Sequence, residues 1–307
     1  MGYVAGIGGA NIDLHGRADG PVLLRDSNPG TLHLSMGGVM RNILENLARL
    51  GVAVKPATVV GDDPYGQMLR MGCRSLGMDV QWMRTRPGQH TSSYVSILDE
   101  GGDMLLAMSD MHILKELDGG FVESCLPMLD QADLVVCDGN LSASALERLT
   151  EACTRPLVLD PVSTSWARAL EPLIGRFHTI KPNRMEMEIL AGGTIRDRQD
   201  LMDASSKLLA RGVKRIYVSL GADGLFYRSR TCCLQKAARG FCNVVNATGA
   251  GDATLAGIVY AMLNGQSEEA TLNTAIAAGL AAISSPNTIS EQMSPTYLEQ
   301  LTKEFLA

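Results

Sequence analysis

A run of small residues ends in a carboxylate at residues 246–252, which read NATGAGD. Gly249, Ala250 and Gly251 would let a ligand approach the backbone closely. The apolar run behind them predicts a helix start, where free N–H groups and the helix dipole favour an anion. Asp252 would repel a bound phosphate, so we expect it to accept a proton from an attacking hydroxyl group instead. The alternative is a tight strand–helix turn in which Asp252 is a first-turn acid favoured by the dipole.

Two segments nearer the N-terminus carry polar side chains that suit vicinal hydroxyl groups. Asn11 and Asp13 lie two residues apart in an extended segment, so they share one side of it. An Asx-type turn at a strand end is the alternative for this pair. Gly38 begins a second segment, where the backbone can approach a polyol, and Asn42 lies one turn into the helix that follows. We therefore expect Asn42 to reach the same ligand.

Two further motifs lie in the second half of the chain. Asn183 is a good N-cap and Glu186 its N3 partner, and this capping box could explain both residues. Alternatively, both point at a magnesium-bound phosphate through water. Ser219 and Gly221 follow an apolar run in the sequence SLGADG, which is either a plain turn or the wall of a nucleotide pocket.

Several classes of protein are excluded or disfavoured by what the chain lacks. The net charge of −6 argues against a general nucleic-acid binder. No P-loop or H-E-x-x-H motif occurs, and the five histidines are dispersed, so no metal cluster is visible. GIGGAN after the first strand places Asn11 where a dinucleotide loop needs its third glycine, which disfavours a nicotinamide-dependent dehydrogenase.

The composition predicts a cytoplasmic protein with a large buried core. The chain has 307 residues, of which 46% are hydrophobic and 20% charged, enough for one large α/β domain or two modest ones. Seven scattered cysteines without a C-x-x-C pair predict reduced thiols. No run of about 18 apolar residues occurs, so we expect neither a signal peptide nor a contact with the membrane.

The elements that must position these residues alternate along the chain. Apolar, β-branched runs predict buried parallel strands at 3–9, 54–60, 133–139, 156–161, 177–183 and 215–221. Amphipathic spacing predicts helices at 37–51, 63–77, 141–153, 197–211, 249–264, 267–284 and 295–305, with Gly51 ending the first. This alternation predicts a doubly wound α/β fold, a mainly parallel sheet with helices on both faces.

Two segments do not fit the parallel pattern. Residues 12–35 and 91–108 alternate apolar and polar side chains and contain turn signals, among them DEGGD at residues 99–103. We expect them to form a small antiparallel sheet, a lid beside the main body of a single domain that spans residues 1–307.

Four of these motifs, in this order along the chain, resemble the ribokinase (phosphofructokinase B) family of sugar and nucleoside kinases. They are GG-x3-N…LG near the N-terminus, P-N-x-x-E in the middle, SLGADG before a hairpin, and NATGAGD near the C-terminus. The resemblance covers essentially the whole chain and implies the ribokinase-like fold, a doubly wound α/β domain with a β lid. The run GGVMRNILENLARLG is more particular than the family pattern and resembles a branch that phosphorylates the ribose 5′-hydroxyl of a nucleoside.

The resemblance also implies a role for each candidate residue. Asp252 resembles the catalytic base, and Gly249, Ala250 and Gly251 the anion hole that stabilises charge on the transferring phosphoryl group. The other roles implied are sugar binding by Asn11, Asp13, Gly38 and Asn42, nucleotide binding by Asn183, Ser219 and Gly221, and magnesium held through water by Glu186. Ser93 and Asp110 of the lid are candidates for reading the base, and each is equally well a lid surface residue.

The implied ligands are ATP, magnesium and a small nucleoside or sugar, and the implied assembly is a homodimer through the lid. Asn246 departs from many members, which have an aspartate there that helps to bind a monovalent cation. The amide keeps an oxygen ligand but loses the charge, which puts activation by potassium in question. Two alternatives remain: a kinase for ribose, fructose or a purine nucleoside, and a sugar-binding protein on this scaffold without catalytic activity.

Overall fold

A computed structural model describes residues 2–306, and a central sheet runs through the main body. The strands are β1 (Val4–Ile7), β2 (Asn11–Ala18), β3 (Gly30–Gly37), β4 (Val54–Gly61), β5 (Met83–Arg86), β6 (Ser93–Leu98), β7 (Met104–Asp110), β8 (Leu134–Asp138), β9 (Leu157–Asp160), β10 (Thr179–Ile180), β11 (Arg215–Ser219), β12 (Leu225–Arg228) and β13 (Cys233–Lys236). The α-helices are α1 (Val39–Arg49), α2 (Pro64–Ser75), α3 (Gly119–Leu129), α4 (Ala143–Ala152), α5 (Thr164–Leu170), α6 (Arg184–Ala191), α7 (Arg198–Arg211), α8 (Ala250–Leu263), α9 (Glu268–Ile283) and α10 (Pro295–Phe305).

The central sheet has the order β13-β12-β11-β10-β9-β8-β1-β4-β5. From β11 to β5 all neighbours are parallel, and β12 and β13 extend the sheet as antiparallel strands. All six predicted parallel strands lie in the parallel part, so the predicted doubly wound α/β fold is confirmed. Strand β5, with the sequence MRTR, and helices α3 and α5 were not predicted.

Helices cover both faces of this sheet. Successive side chains of a strand point to opposite faces, and in the buried strands both sets are apolar, so both faces must be covered. In β8, Leu134 and Val136 belong to the core cluster under α1, α8, α9 and α10. Val135 and Cys137 belong to the cluster on the other face, under α3, α4, α6 and α7. The apolar runs without alternation in the sequence therefore correspond to strands that are buried on both sides.

The second sheet, which we call the lid after its predicted role, has the order β3-β2-β6-β7. The pairs β2–β3 and β6–β7 are antiparallel hairpins, and the predicted DEGGD turn closes the second through a 2.9 Å hydrogen bond from Asp99 N–H to Asp103 O. The two hairpins meet through the parallel pair β2–β6. Parallel pairing is possible because the chain crosses the main body between β3 and β6 before it returns.

All seven cysteines are free, and three of them are buried. Within residues 2–306, no helix combines the length and the apolar character that crossing a membrane requires.

Candidate active site

Polar side chains end four neighbouring parallel strands at one edge of the central sheet. Asp138 ends β8, Asp160 ends β9, Lys181 directly follows β10, and Ser219 ends β11. In open α/β sheets this carboxyl edge is where ligands bind. Asp138, Asp160 and Lys181 are buried, so they lie inside the edge rather than on its surface.

Asp252 lies over this edge, in the first turn of α8, and is 9% exposed. Its Oδ2 accepts a 2.8 Å hydrogen bond from Nδ2 of Asn42 in the first turn of α1. Gly38, the N-cap of α1, adopts φ +98°, and a Cβ there would lie 2.6 Å from the Ala10 Cα. Only glycine fits, and it lets α1 begin close enough to bring Asn42 to Asp252.

The carboxyl group of Asp252 has an unusual environment. Burial raises its pKa to about 7, and nearby Asp160 adds to the rise. The hydrogen bond from Asn42 and the charges of Lys181 and Arg41 oppose the rise in pKa. A carboxyl group with this pKa is suited to accepting a proton at neutral pH.

Lys181 is the cation of this edge. Its Nζ lies 3.2 Å from Oδ2 of Asp160, and both side chains are less than a tenth exposed. Burial alone would lower the pKa of Lys181, but the carboxylates of Asp160, Glu186 and Asp252 raise it above its ordinary value. The surrounding acidic groups therefore favour the charged form of the Lys181 ammonium group.

The N-terminus of α8 has the geometry of an anion hole. Gly249 adopts φ +79°, and a Cβ there would lie 2.2 Å from the Thr288 oxygen, so this turn requires glycine. The first helical hydrogen bond runs from Ala253 N–H to Gly249 O, which leaves the N–H groups of Gly251 and Asp252 ahead of the helical ladder. A Cβ at Gly251 would lie 3.3 Å from the Lys181 Nζ, so the ammonium group borders the hole.

Asn183 and Glu186 form the predicted capping box at the start of α6. Oδ1 of Asn183 accepts from the Glu186 N–H at 2.9 Å, and Oε2 of Glu186 accepts from the Asn183 N–H at 2.8 Å. Glu186 is 3% exposed, and burial raises the pKa of its carboxyl group. No cluster of three or more metal-binding side chains occurs among residues 2–306. Oε1 of Glu186 takes no part in the capping box, and a carboxylate oxygen suits magnesium or its water shell.

A cleft of about 480 Å³ lies between the β11 end and the start of α8. It brings together Ser219 and Gly221 with Ala250 and Gly251, although the two pairs are about thirty residues apart in the chain. The remaining wall is largely apolar and includes the side chains of Phe241, Val244, Ile276, Leu280 and Ile283. An apolar slot that ends in an anion hole suits a nucleotide, with its base in the slot and its phosphates at the helix start.

The lid has a polar face beside the start of α1, where a Cβ on Gly37 would lie 2.2 Å from Oδ2 of Asp13. Nδ2 of Asn11 donates to Oδ1 of Asp13 at 2.5 Å, and burial raises the pKa of Asp13. The strand register puts His15 and Ser96 on the same face as Asp13, and Nδ1 of His15 lies 2.6 Å from the Ser96 hydroxyl oxygen. The ring of Tyr94 contacts His15 edge-on from this face.

Two lid candidates lie elsewhere. Ser93 pairs with Ile12 on β2 and with Asp110 on β7, so the side chains of all three lie on the face opposite Asp13. Oδ1 of Asp110 is 2.7 Å from Nδ1 of the exposed His112. The structure thus brings Asn42 to Asp252 and places Asn11 and Asp13 beside Gly37, which precedes Gly38. Ser93 and Asp110 lie on the opposite face of the lid.

Sequence reasoning missed Lys181 and Asp160, together with the His15–Ser96 pair. The signal for the first two was present, since each directly follows a strongly apolar strand and such strands end at one edge. His15 and Ser96 carried no signal, because only the pairing of β2 with β6 places them together.

The amide of Asn246 is engaged at both ends. Its Oδ1 accepts from the Thr248 N–H at 2.9 Å, and its Nδ2 donates to the Pro286 oxygen at 3.1 Å. The oxygen that would be offered to a monovalent cation therefore already holds the turn before α8. That the amide at position 246 puts potassium activation in question stays a prediction.

Comparison with known proteins assigns the chain to a family. The sequence model of the pfkB family of carbohydrate kinases matches residues 1–296. The chain therefore belongs to the pfkB family, and it is a phosphotransferase with an alcohol group as acceptor.

Individual relatives agree with this assignment. Pseudouridine kinase from Escherichia coli strain K12 is 36% identical over 264 residues, which are 86% of this chain and 84% of that protein. A carbohydrate kinase from Agrobacterium tumefaciens has a TM-score of 0.86 at 25% identity and covers 99% of this chain and 98% of its own. Arabidopsis thaliana ribokinase, in complex with ribose and ATP, has the same TM-score at 20% identity, covers 99% of both chains and shares the fold.

Proposed function

We propose that this enzyme transfers the γ-phosphoryl group of ATP to the ribose 5′-hydroxyl of pseudouridine, giving pseudouridine 5′-phosphate and ADP. The observation that carries the phosphoryl transfer is the Asn42–Asp252 hydrogen bond of 2.8 Å, which joins the lid side of the site to the anion hole. Two observations support pseudouridine as the acceptor. One is the similarity to pseudouridine kinase from Escherichia coli, and the other is the run GGVMRNILENLARLG, which resembles pseudouridine kinases.

Asp252 is the general base of the proposed reaction. Its carboxylate takes the proton of the 5′-hydroxyl group as that oxygen forms a bond to the γ-phosphorus, and the bond between this phosphorus and the bridging oxygen of ADP breaks. The pKa of about 7 supports this role, because the group is substantially ionised at neutral pH and yet basic enough to hold the proton.

The N-terminus of α8 and Lys181 stabilise the charge of the transferring group. The N–H groups of Gly249, Gly251 and Asp252 would donate to phosphoryl oxygens, whereas the Ala250 N–H already donates to the Ala247 oxygen at 3.4 Å. The ammonium group that borders Gly251 would add a positive charge. Magnesium neutralises the nucleotide phosphates when bound, and Glu186 with Asn183 would hold its water shell. These donors are fixed before substrate binds, so no reorganisation is needed during transfer.

The acceptor binds between the lid and α1 in this proposal. Asp13 and Asn42 hold the 2′- and 3′-hydroxyl groups, with Asn11 orienting Asp13 and Gly38 admitting the sugar. The base of pseudouridine is joined through carbon and so presents one ring N–H more than uridine. The His15–Ser96 pair supports a reading of that group from the polar lid face, whereas Ser93 would need a different lid conformation.

The test is a comparison of acceptors. Purified enzyme with ATP and magnesium is offered pseudouridine, uridine, inosine, ribose and fructose, and both ADP and the phosphorylated product are measured. We expect the highest kcat/KM on pseudouridine, with phosphate on the 5′-oxygen. A higher kcat/KM on another acceptor would contradict pseudouridine as the substrate but would leave the proposed mechanism in place. Binding of a sugar or nucleoside without turnover on any acceptor would contradict the mechanism as well.

A further inference from the structure

The residues that set the run GGVMRNILENLARLG apart include Arg41, Glu45 and Arg49, and the proposed chemistry leaves them without a role. Arg41 is 1% exposed, an extreme burial for a residue that normally keeps its charge in water. Its Nη1 donates to Oε2 of Glu45, four residues further along α1. Oε1 of Glu45 accepts from Arg49 at 2.8 Å. The row of ion pairs Arg41–Glu45–Arg49 therefore runs along α1 to the half-buried surface of the helix.

The other donors of Arg41 point towards the active site. Its Nε donates to the Gly37 oxygen at 2.9 Å and its Nη2 to the Met36 oxygen at 2.7 Å, which ties the end of lid strand β3 to α1. Nη2 also donates to Oδ1 of Asn42. The guanidinium group thus donates to four acceptors through its planar set of N–H groups. A lysine ammonium group, with three donors on one nitrogen, could not bind all four.

The bond to Asn42 decides which way its amide faces. A guanidinium group only donates and an ionised carboxylate only accepts, so an amide between them has one favourable orientation. With Oδ1 on Arg41, Nδ2 must face Asp252, where it donates at 2.8 Å. A flipped amide would put an oxygen against the carboxylate and two N–H donors against the guanidinium group.

We propose that Arg41 is a positioning residue for phosphoryl transfer, which locks the Asn42 amide in the orientation that donates to Asp252 and couples this bond to the end of the lid. This rests on the proposed role of Asp252 as the base. Arg41 is 1% exposed and its guanidinium group donates to four protein acceptors, so it is not placed to contact the acceptor or the nucleotide itself. Apart from the direct effect of its charge on the pKa of Asp252, its effect on the rate passes through Asn42.

A double-mutant cycle tests that route. Single-turnover rates are measured for the wild type, Arg41→Met, Asn42→Ala and the double variant, with whichever acceptor of the panel gives the highest kcat/KM. We expect Arg41→Met to lower the rate about 10- to 100-fold, the scale of a misplaced catalytic contact. All four rates are compared at pH 9, where Asp252 is ionised in each variant, and in the Asn42→Ala background the same change should cost less than about threefold. Equal losses in both backgrounds would overturn the proposal.

The pH profile separates positioning from a structural role. Asp252 is faced by Asp160 from β9, Lys181 after β10, and Asn42 and Arg41 from α1. Because Asn42 and Arg41 lower its pKa, loss of either should move the acid limb of the rate to higher pH. Arg49→Met also breaks a bond to Glu45 but spares Asn42, so it should lower Tm and leave the acid limb in place. An acid limb at the wild-type pH in Arg41→Met would overturn the proposal.

A second variant serves as a control for loss of folding in Arg41→Met. If Arg41→Met fails to fold because Glu45 loses a buried partner, Arg41→Met with Glu45→Met replaces the ion pair by apolar side chains, a change that proteins often tolerate. This variant should fold and should still show the slower rate and the shifted acid limb. A normal rate and profile would overturn the proposal. Failure of the base assignment is separate, because it would appear as an active Asp252→Asn variant.

Discussion

At the scale of single residues, the exchange Asp252→Asn removes the proton acceptor and little else. The amide keeps the size of the side chain and an oxygen that can still accept from Asn42. We expect kcat to fall about 10²- to 10⁴-fold, the usual contribution of a general base, with the acceptor bound as in the wild type. Quenched single-turnover measurements give the rate of phosphoryl transfer, and calorimetry gives the affinity for the acceptor. A loss smaller than tenfold would place the base elsewhere.

The pKa of Asp252, raised by burial to about 7, predicts a pH dependence of the reaction. The carboxylate is the active form, so kcat should be level above this pH and should fall towards about tenfold for each pH unit below it. The profile is measured from pH 5.5 to 9 at saturating magnesium, which keeps the nucleotide phosphates ionised. A flat profile across pH 6 to 8 would contradict the proposed base.

Residues differ in how far the sequence could predict them. Gly249, Gly251 and Asp252 are contiguous, and a glycine turn ahead of a helix has a physical meaning without the fold. Lys181 borders the same hole, but it is 70 residues away in the chain, and only the order of the strands brings it there. Its role could be predicted only after the neighbours of β10 were known.

At the scale of elements, the lid should keep water from the transferring phosphoryl group. A sharp test replaces residues 96–107 by Asn-Gly, which keeps the Tyr94–Ser109 pair and forms a short turn. Thr91 and Ser92 remain, and they fasten the lid to the main body through Gly61 and Ala10. We expect a higher ratio of ATP hydrolysis to acceptor phosphorylation, and about a 10²-fold loss of kcat/KM for the acceptor.

The shortened lid has a matched control. Asp99→Gly loosens the same hairpin turn, where Oδ1 of Asp99 accepts from the Asp103 N–H at 2.8 Å, but leaves both strands in place. It should keep the wild-type ratio of hydrolysis to transfer. An unchanged ratio in the shortened lid would mean that β6 and β7 do not shield the site.

Elements also differ in how far the sequence could predict them. The two lid hairpins alternate apolar and polar side chains, which predicts strands and turns well. It does not predict which face of β6 points to the substrate, because a shift of one residue in pairing reverses every side chain. Ser93 and Ser96 are chemically alike, and the register with β2 alone places Ser96 beside His15.

At the scale of the whole molecule, the apolar face of the lid predicts a homodimer. Leu32, Leu106 and Met108 lie on the face opposite Asp13 and are 73%, 61% and 69% exposed. In a two-fold dimer each change counts twice, so Leu106→Asp should raise the dissociation constant roughly 10²- to 10⁴-fold. Sedimentation velocity measures this, and Met71→Asp, on an exposed methionine of α2, is the control. A monomeric wild type would contradict the prediction.

The Asn42–Asp252 hydrogen bond joins residues 210 positions apart, and the proposed contacts divide along the chain on either side of it. In the proposed function, acceptor recognition uses residues before 111, whereas residues from 181 onwards hold the nucleotide and the phosphoryl group. A gene with this layout can exchange its first third by recombination without disturbing phosphate-donor chemistry. Chimeras of two such kinases with a crossover between α3 and β9 should therefore take their acceptor specificity from one parent and their nucleotide specificity from the other. Recombination at this point would change the acceptor of the kinase in a single step.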